Sequence, residues 1–239
     1  MNVIFQKIID TLLPPRCLKC GKILGDANGL CADCFNEITF ISKPYCEHCG
    51  LPLVSENTIG KFCGNCLRNS KSVFRMCRSA VVYDEHSKPL ILNFKFNDRT
   101  ENAAFLAKWL RLGGKDIFAQ KVDVIVPVPL HYTRLIKRRY NQSVLLAREL
   151  SKLEGVPCDC RSVIRHRKTK PQVDFSGHER IRNVKNAFSV KYPENLKGKR
   201  VVLIDDVMTT GSTLKECAKV ILQAGAKSVD TLTVARVIK

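Results

Sequence analysis

Residues 201–213, VVLIDDVMTTGST, constrain the chain more than any other stretch. A run of aliphatic and β-branched residues this dense reads as a strand covered on both faces, and such strands belong to parallel sheets flanked by helices. The run delivers two adjacent carboxylates, Asp205 and Asp206, at its carboxyl end. Thr209, Thr210, Gly211 and Ser212 then form a loop, and Thr213 opens a helix. Gly211 permits a turn that points successive N–H groups inward. Those amides, the hydroxyls and the helix amino terminus together make a cradle for a phosphate monoester. The acids lie beside it, where sugar hydroxyls or a metal-water shell would sit. The GK[ST] ending of a Walker loop is missing. An ordinary strand-to-helix turn is the bland alternative, but it leaves two neighbouring acids at the end of a buried strand at a cost.

The flanking sequence alternates strands and helices. CRSAVVYD (77–84) reads as a strand; residues 85–96 and 103–112 have apolar residues near helical spacing; VDVIVPVP (122–129) is a second covered strand. Thr133 to Leu153 reads as one basic helix ended by Gly155 and Pro157, RSVIRH (161–166) as a short strand and 167–183 as a long polar loop. KRVVLIDDV (199–207), a helix over 212–224 and a last strand, SVDTLTVARV (228–237), complete the pattern. The expected fold class is α/β with a mainly parallel central sheet.

Eight of the twelve cysteines fall in four CxxC pairs: Cys17/Cys20, Cys31/Cys34, Cys46/Cys49 and Cys63/Cys66. Two thiolates three residues apart on a tight turn reach one ion, and four close a tetrahedral zinc site with no open position. The metal should therefore be structural, two zinc ions; redox chemistry or an iron–sulfur cluster is the alternative. Sequential pairing gives two ribbons, and pairing of the first pair with the third and the second with the fourth also fits. Sequential pairing closes shorter loops. Cys77, Cys158, Cys160 and Cys217 have no partner at ligand spacing and read as ordinary buried or partly buried thiols. His48, inside a pair, reads as exposed. The organisation expected is an amphipathic helix in 1–14, a double zinc-ribbon module in 15–76 and an α/β domain in 77–239. Val3, Ile4, Ile8 and Leu12 share one face of the first helix. Docking on the rest of the chain is its plainer use, since one short helix anchors weakly to a membrane.

Hydrophobic residues make up 45% and charged residues 26%, which rules out wholesale disorder. No apolar run approaches the ~20 residues of a spanning helix. Twelve cysteines with no readable export signal point to a reducing, cytoplasmic setting, with peripheral attachment at the inner face of the membrane as an added option. The net charge is +18, and two thirds of it falls in residues 131–200. Clustered cations of this kind gain affinity for polyanions by counterion release.

The stretch 201–213 resembles the phosphoribosyl pyrophosphate (PRPP) motif of type I phosphoribosyltransferases. A wider pattern is similar to the ComF/GntX family of competence-associated phosphoribosyltransferase-like proteins: LLPPRC before a double cysteine ribbon, then VPVPL, RRYNQ, KTKPQ, and RxxN with AF downstream. The likeness covers nearly the whole chain. Relatives often carry R-G-F/Y-N-Q where this chain has Arg138-Arg139-Tyr140-Asn141-Gln142, so Arg139 stands in a glycine position.

The resemblance implies that Asp205 and Asp206 hold the ribose hydroxyls as the catalytic acids, that Thr209 to Thr213 cradle the 5′-phosphate, and that magnesium arrives with PRPP. It brings Pro129 and Leu130 near the pyrophosphate and makes Lys95 a second phosphate contact. Arg138, Asn141 and Gln142 follow as ligand-binding candidates, a guanidinium being suited to bidentate phosphate contact. Arg138, Arg139, Lys168, Lys170, Arg180 and Arg182 are the nucleic-acid-binding candidates, the last four in a loop that closes over substrate in related enzymes. Tyr132, Tyr140, Phe175, Phe188 and Tyr192 are the available stacking platforms. Two functions follow. One is a competence protein that binds PRPP or a related sugar-phosphate and single-stranded DNA, working with other DNA-uptake proteins. The other is an active transferase passing ribose 5-phosphate to a nitrogen acceptor.

Overall fold

The computed structural model describes residues 14–25, 29–53, 61–68, 72–96, 100–169 and 182–238. The helix expected at the amino terminus lies outside them, as do Lys170, Phe175 and Arg180. In chain order the named elements are helices α1 (Ala32–Asn36) and α2 (Gly64–Arg68), strand β1 (Cys77–Val82), helices α3 (Lys88–Phe96), α4 (Asn102–Gly113) and α5 (Lys115–Phe118), strand β2 (Val124–Pro127), helices α6 (Tyr132–Arg138) and α7 (Gln142–Glu154), strands β3 (Val163–Arg165), β4 (Phe188–Val190) and β5 (Arg200–Met208), helix α8 (Ser212–Gln223) and strand β6 (Ser228–Arg236).

Four strands form one sheet in the order β1-β6-β5-β2, every pair parallel. The alternation within β5 divides the core. Val202 and Ile204 pack with Leu90, Phe94, Leu106 and Leu146 on one face, while Val201 and Leu203 pack with Leu214, Cys217 and Ile221 on the other. Side chains two apart on a strand share a face, and each fully buried aliphatic contributes about 2 kcal/mol. At the end of β5, Asp206 meets Lys95 of α3 and Asp205 meets Ser143 of α7.

Two sequence expectations change. The single helix over 133–153 is two helices, because Arg139 has φ +64 and ends α6 in the left-handed region. Asn141 then restarts the chain: its side-chain oxygen accepts from the Ser143 amide at 3.0 Å, an N-cap for α7. The RSVIRH strand does not join the main sheet. It pairs antiparallel with β4, a three-residue strand too short to stand out by periodicity.

The cysteine module grips the outer edge of the sheet. Phe40 bridges antiparallel to Val81, with Ile41 donating to the Ala80 carbonyl and Val82 to the Thr39 carbonyl, both at 2.9 Å. Arg78, nearly buried, donates to the Glu47 and Cys77 carbonyls at 2.8 Å and to Asp116 at 2.7 Å. The Cβ position of Gly50 would lie 2.5 Å from the Cys77 carbonyl oxygen, and its φ is +66, so this contact admits glycine alone. His48 is half-buried rather than exposed: its Nε2 lies 2.9 Å from the Phe74 carbonyl and its main-chain carbonyl accepts from Cys77 at 2.8 Å.

Candidate functional site

All four parallel strands end on one edge of the sheet, and the candidate site is built there. β5 runs on to Met208, and Gly211 turns the chain with φ +70 into α8. Glycine is required because that conformation is costly for other residues. Among the described residues the main-chain N–H groups of Thr209, Thr210 and Gly211 find no acceptor. The Thr210 hydroxyl donates to Ser212 Oγ at 3.0 Å, which sets both oxygens in the turn. The loop thus offers amides and hydroxyls together with the positive end of a helix.

The acids flank it. Asp206 is 7% exposed and lies 2.7 Å from Lys95 Nζ, the last-turn lysine of α3; its Oδ1 accepts from the Val207 amide at 2.7 Å. Asp205 Oδ1 accepts from the Ser143 hydroxyl and from the Asp206 amide, both at 2.9 Å. Its Oδ2 has no hydrogen-bond partner among the described residues. Burial, then the neighbouring Asp206 charge, push the Asp205 carboxyl up to about 7 against the opposing pull of Lys95 and Ser143.

The remaining motif residues divide by what they touch. Pro129 and Leu130 are half-buried in the chain leaving β2. Asn141 donates to the Val128 carbonyl at 3.0 Å, and Gln142, 2% exposed, donates to the Lys95 carbonyl at 3.0 Å and faces Arg138 Nη1 at 3.4 Å. These two amides spend their polar atoms joining α3, β2 and α7, so they hold Lys95 and the β2 loop in place. Tyr140 does likewise through its hydroxyl, which donates to the Phe94 carbonyl at 2.7 Å. Phe188 is core rather than platform, with Arg165 stacked over it at 5.1 Å. Tyr132 is 66% exposed on α6, and Tyr192 is half-buried. Arg139, Lys168 and Arg182 are exposed, and Arg138 is half-buried.

Three side chains escaped the sequence reading. Ser143, directly after the Asn-Gln pair, holds Asp205. Arg134 donates to the Thr169 carbonyl at 2.8 Å, and Arg165 donates to the Thr169 hydroxyl, so the start of the basic loop is pinned from two sides. Arg165 is 8% exposed and its Nε has no partner among the described residues. Burial, and secondly the Arg134 charge, bring its guanidinium down to about 10, so it stays a cation at neutral pH. Its inward direction was legible only in alternation with Val163 on β3.

The cysteines form two groups, Cys17/Cys20/Cys31/Cys34 and Cys46/Cys49/Cys63/Cys66, with sulfurs within 4.8 Å of one another. Cys20 and Cys31 sulfurs are 3.8 Å apart, and Cys49 and Cys63 3.6 Å, close to the roughly 3.8 Å edge of a tetrahedron with ~2.3 Å zinc–sulfur bonds. Both sets fit structural zinc. The first knuckle of each tetrad has the same design: Gly21 donates to the Cys17 carbonyl at 2.9 Å and Gly50 to the Cys46 carbonyl at 2.8 Å, both glycines with positive φ. Among the described residues no helix is long and apolar enough to cross a membrane.

Comparison with known proteins agrees with this architecture. The double zinc ribbon domain family matches residues 8–67, and the phosphoribosyl transferase domain family matches residues 98–239. Competence protein F of Haemophilus influenzae is 36% identical over 232 residues, covering 92% of this chain and 96% of that protein. The DNA utilization protein YhgH of Escherichia coli K12 is 35% identical over 94% of this chain and 98% of its own length. Competence protein ComFC of Bacillus subtilis is 29% identical over 87% of this chain and 84% of its own. A parallel sheet ending in a two-acid, glycine-turned loop, behind two cysteine tetrads, thus fits the match that makes this chain a member of the competence protein F family, with a double zinc ribbon followed by a phosphoribosyl transferase domain.

Proposed function

We propose that the protein binds PRPP or a related sugar-phosphate at residues 205–213 and single-stranded DNA on the cationic surface beside it, in support of DNA uptake. The observation that carries this reading is the row of amides at Thr209, Thr210 and Gly211 beside Asp205 Oδ2, all without a partner among the described residues. The amides and the α8 amino terminus suit the 5′-phosphate, and the carboxylates suit the ribose hydroxyls as acceptors. Lys95 offsets one of the two acid charges, which favours an anionic ligand. Magnesium takes oxygen ligands, mostly from substrate phosphates plus one or two carboxylates. Asp205 and Asp206 fit that donor set, and the metal would screen the diphosphate charge.

DNA binding draws on the net charge of 131–200 and on exposed Arg139, Lys168 and Arg182. Tyr132, exposed on the same short helix as Arg138, offers a ring for base stacking. The printed names of the relatives, competence and DNA utilization proteins, favour this use over general nucleotide metabolism.

Calorimetry with PRPP and magnesium, with and without a short single-stranded oligonucleotide, tests both halves. Expected are binding of each ligand, loss of the PRPP heat in Asp205→Asn/Asp206→Asn, and weaker DNA binding in Arg138→Ala/Arg139→Ala. DNA affinity should fall at least tenfold between ~50 and ~300 mM salt. No heat with PRPP, or salt-independent DNA binding, overturns the corresponding half. Pyrophosphate release on adding nitrogen acceptors would identify a transferase instead.

A further inference from the structure

Cys158 and Cys160 stand outside both zinc sets, and their sulfurs face each other at 3.5 Å. The turn that carries them is fixed to the sheet: Ile125 donates to the Pro157 carbonyl at 2.8 Å and Asp159 to the Ile125 carbonyl at 2.9 Å, one bridge beyond β2. The Asp159 carboxylate accepts the Arg161 and Ser162 amides at 2.8 and 3.0 Å, closing the turn beneath the thiols. Both cysteines are half-buried and line an open cavity of about 350 Å³. Arg148, Arg161 and Lys199 line the same cavity, against the single carboxylate of Asp159, whose oxygens are engaged in the turn. The pocket is cationic, and a thiol pair is at its wall.

The two sulfurs are electronically unequal. A hydrogen bond from Cys158, supported by Arg148, holds Cys160 down to about 6, while that same bond and burial push the Cys158 thiol well up. One member is the nucleophile and the other keeps a proton, the division of labour that thiol–disulfide exchange requires.

We propose that Cys158 and Cys160 form an exchange site for a small anionic disulfide, of which glutathione disulfide is the type, drawn in by Arg148, Arg161 and Lys199. The Cys160 thiolate attacks one sulfur of the incoming disulfide, forms a mixed disulfide and releases one thiolate. That thiolate takes the Cys158 proton. Cys158 then attacks Cys160 Sγ, forms the Cys158–Cys160 bond and expels the second thiolate. The protein gives up two electrons and one proton, and the incoming disulfide leaves as one thiol and one thiolate. The sulfurs need only close from 3.5 Å to about 2.05 Å. The site lies apart from the zinc tetrads and owes nothing to the sugar-phosphate reading.

The test uses the full zinc-loaded protein and two disulfides, anionic glutathione disulfide and cationic cystamine. Trypsin releases residues 153–161, LEGVPCDCR, which contain both thiols and no other cysteine. Expected is loss of two hydrogens from this peptide while the zinc stays bound, with glutathione disulfide faster than cystamine. Cys158→Ser should trap one glutathionyl group on Cys160, Cys160→Ser should leave Cys158 unmodified, and Arg148→Gln should slow the reaction roughly tenfold. A peptide that stays a dithiol until zinc is lost, or one that reacts at least as fast with cystamine, overturns the proposal.

Discussion

The Lys95 ammonium and the Asp206 carboxylate meet at 2.7 Å across the gap between α3 and the end of β5. Asp205 is the next residue on β5, so one cation serves two adjacent acids, and its removal leaves both charges facing each other. Lys95→Met should cost about 2–3 kcal/mol at pH 8, because a partner has been taken from a buried charge. The loss should shrink near pH 5, where protonation relieves the repulsion. Denaturant melts at the two pH values check this; an equal loss at both would assign Lys95 a packing role.

Asp205 reverses the usual carboxylate dependence. Its folded value is raised to about 7, above the ~3.9 of an unfolded aspartate. The folded state therefore binds the proton more tightly, and stability falls as pH rises from about 4 through 7. Asp205→Asn should nearly match the parent around pH 4 and exceed it by roughly 4 kcal/mol at pH 8. A constant offset across that range would contradict the assignment.

Arg139 occupies φ +64, where an L side chain is strained by about 1 kcal/mol. Arg139→Gly should relieve the strain, and after the greater freedom of glycine in the unfolded chain is counted the net gain should be at most about 0.5 kcal/mol. The same change should weaken DNA binding if the exposed guanidinium contacts phosphate. Thermal melts and a salt titration separate the two effects.

Gly21 and Gly50 occupy equivalent places in the two knuckles, yet only Gly50 abuts the sheet. A Cβ on Gly21 meets nothing within 4 Å, whereas on Gly50 it meets the Cys77 carbonyl oxygen at 2.5 Å. Gly21→Ala should cost about 1 kcal/mol from its positive φ alone. Gly50→Ala should cost at least twice as much and loosen the second zinc toward chelators. Metal analysis of the parent should give about two zinc per chain. Equal behaviour of the two variants would mean that the module is not seated through Gly50.

Much of this was legible because the informative residues are contiguous. The buried run 201–204, the acid pair and TTGST announce strand, candidate site and loop within thirteen residues, and CxxC spacing announces the tetrads. What escaped depends on contacts between distant segments. Ser143 reaches Asp205 across 62 positions, and Arg165 matters through what its strand packs against. The helix break at Arg139 was hidden because the residue there is not glycine. The pairing of Cys158 with Cys160 follows from a turn held by Asp159, which spacing rules for metal ligands do not detect.

The bridge from Phe40 to Val81 has a consequence for handling the protein as well as for its architecture. An uncapped rim of β1 would present the backbone of Ala80 and Val82 as a template for strands of other molecules. Chelation that frees the ribbons thus uncovers an adhesive margin, and zinc-starved preparations should clump through it while the Thr209–Thr213 loop, two strands inward, is still intact.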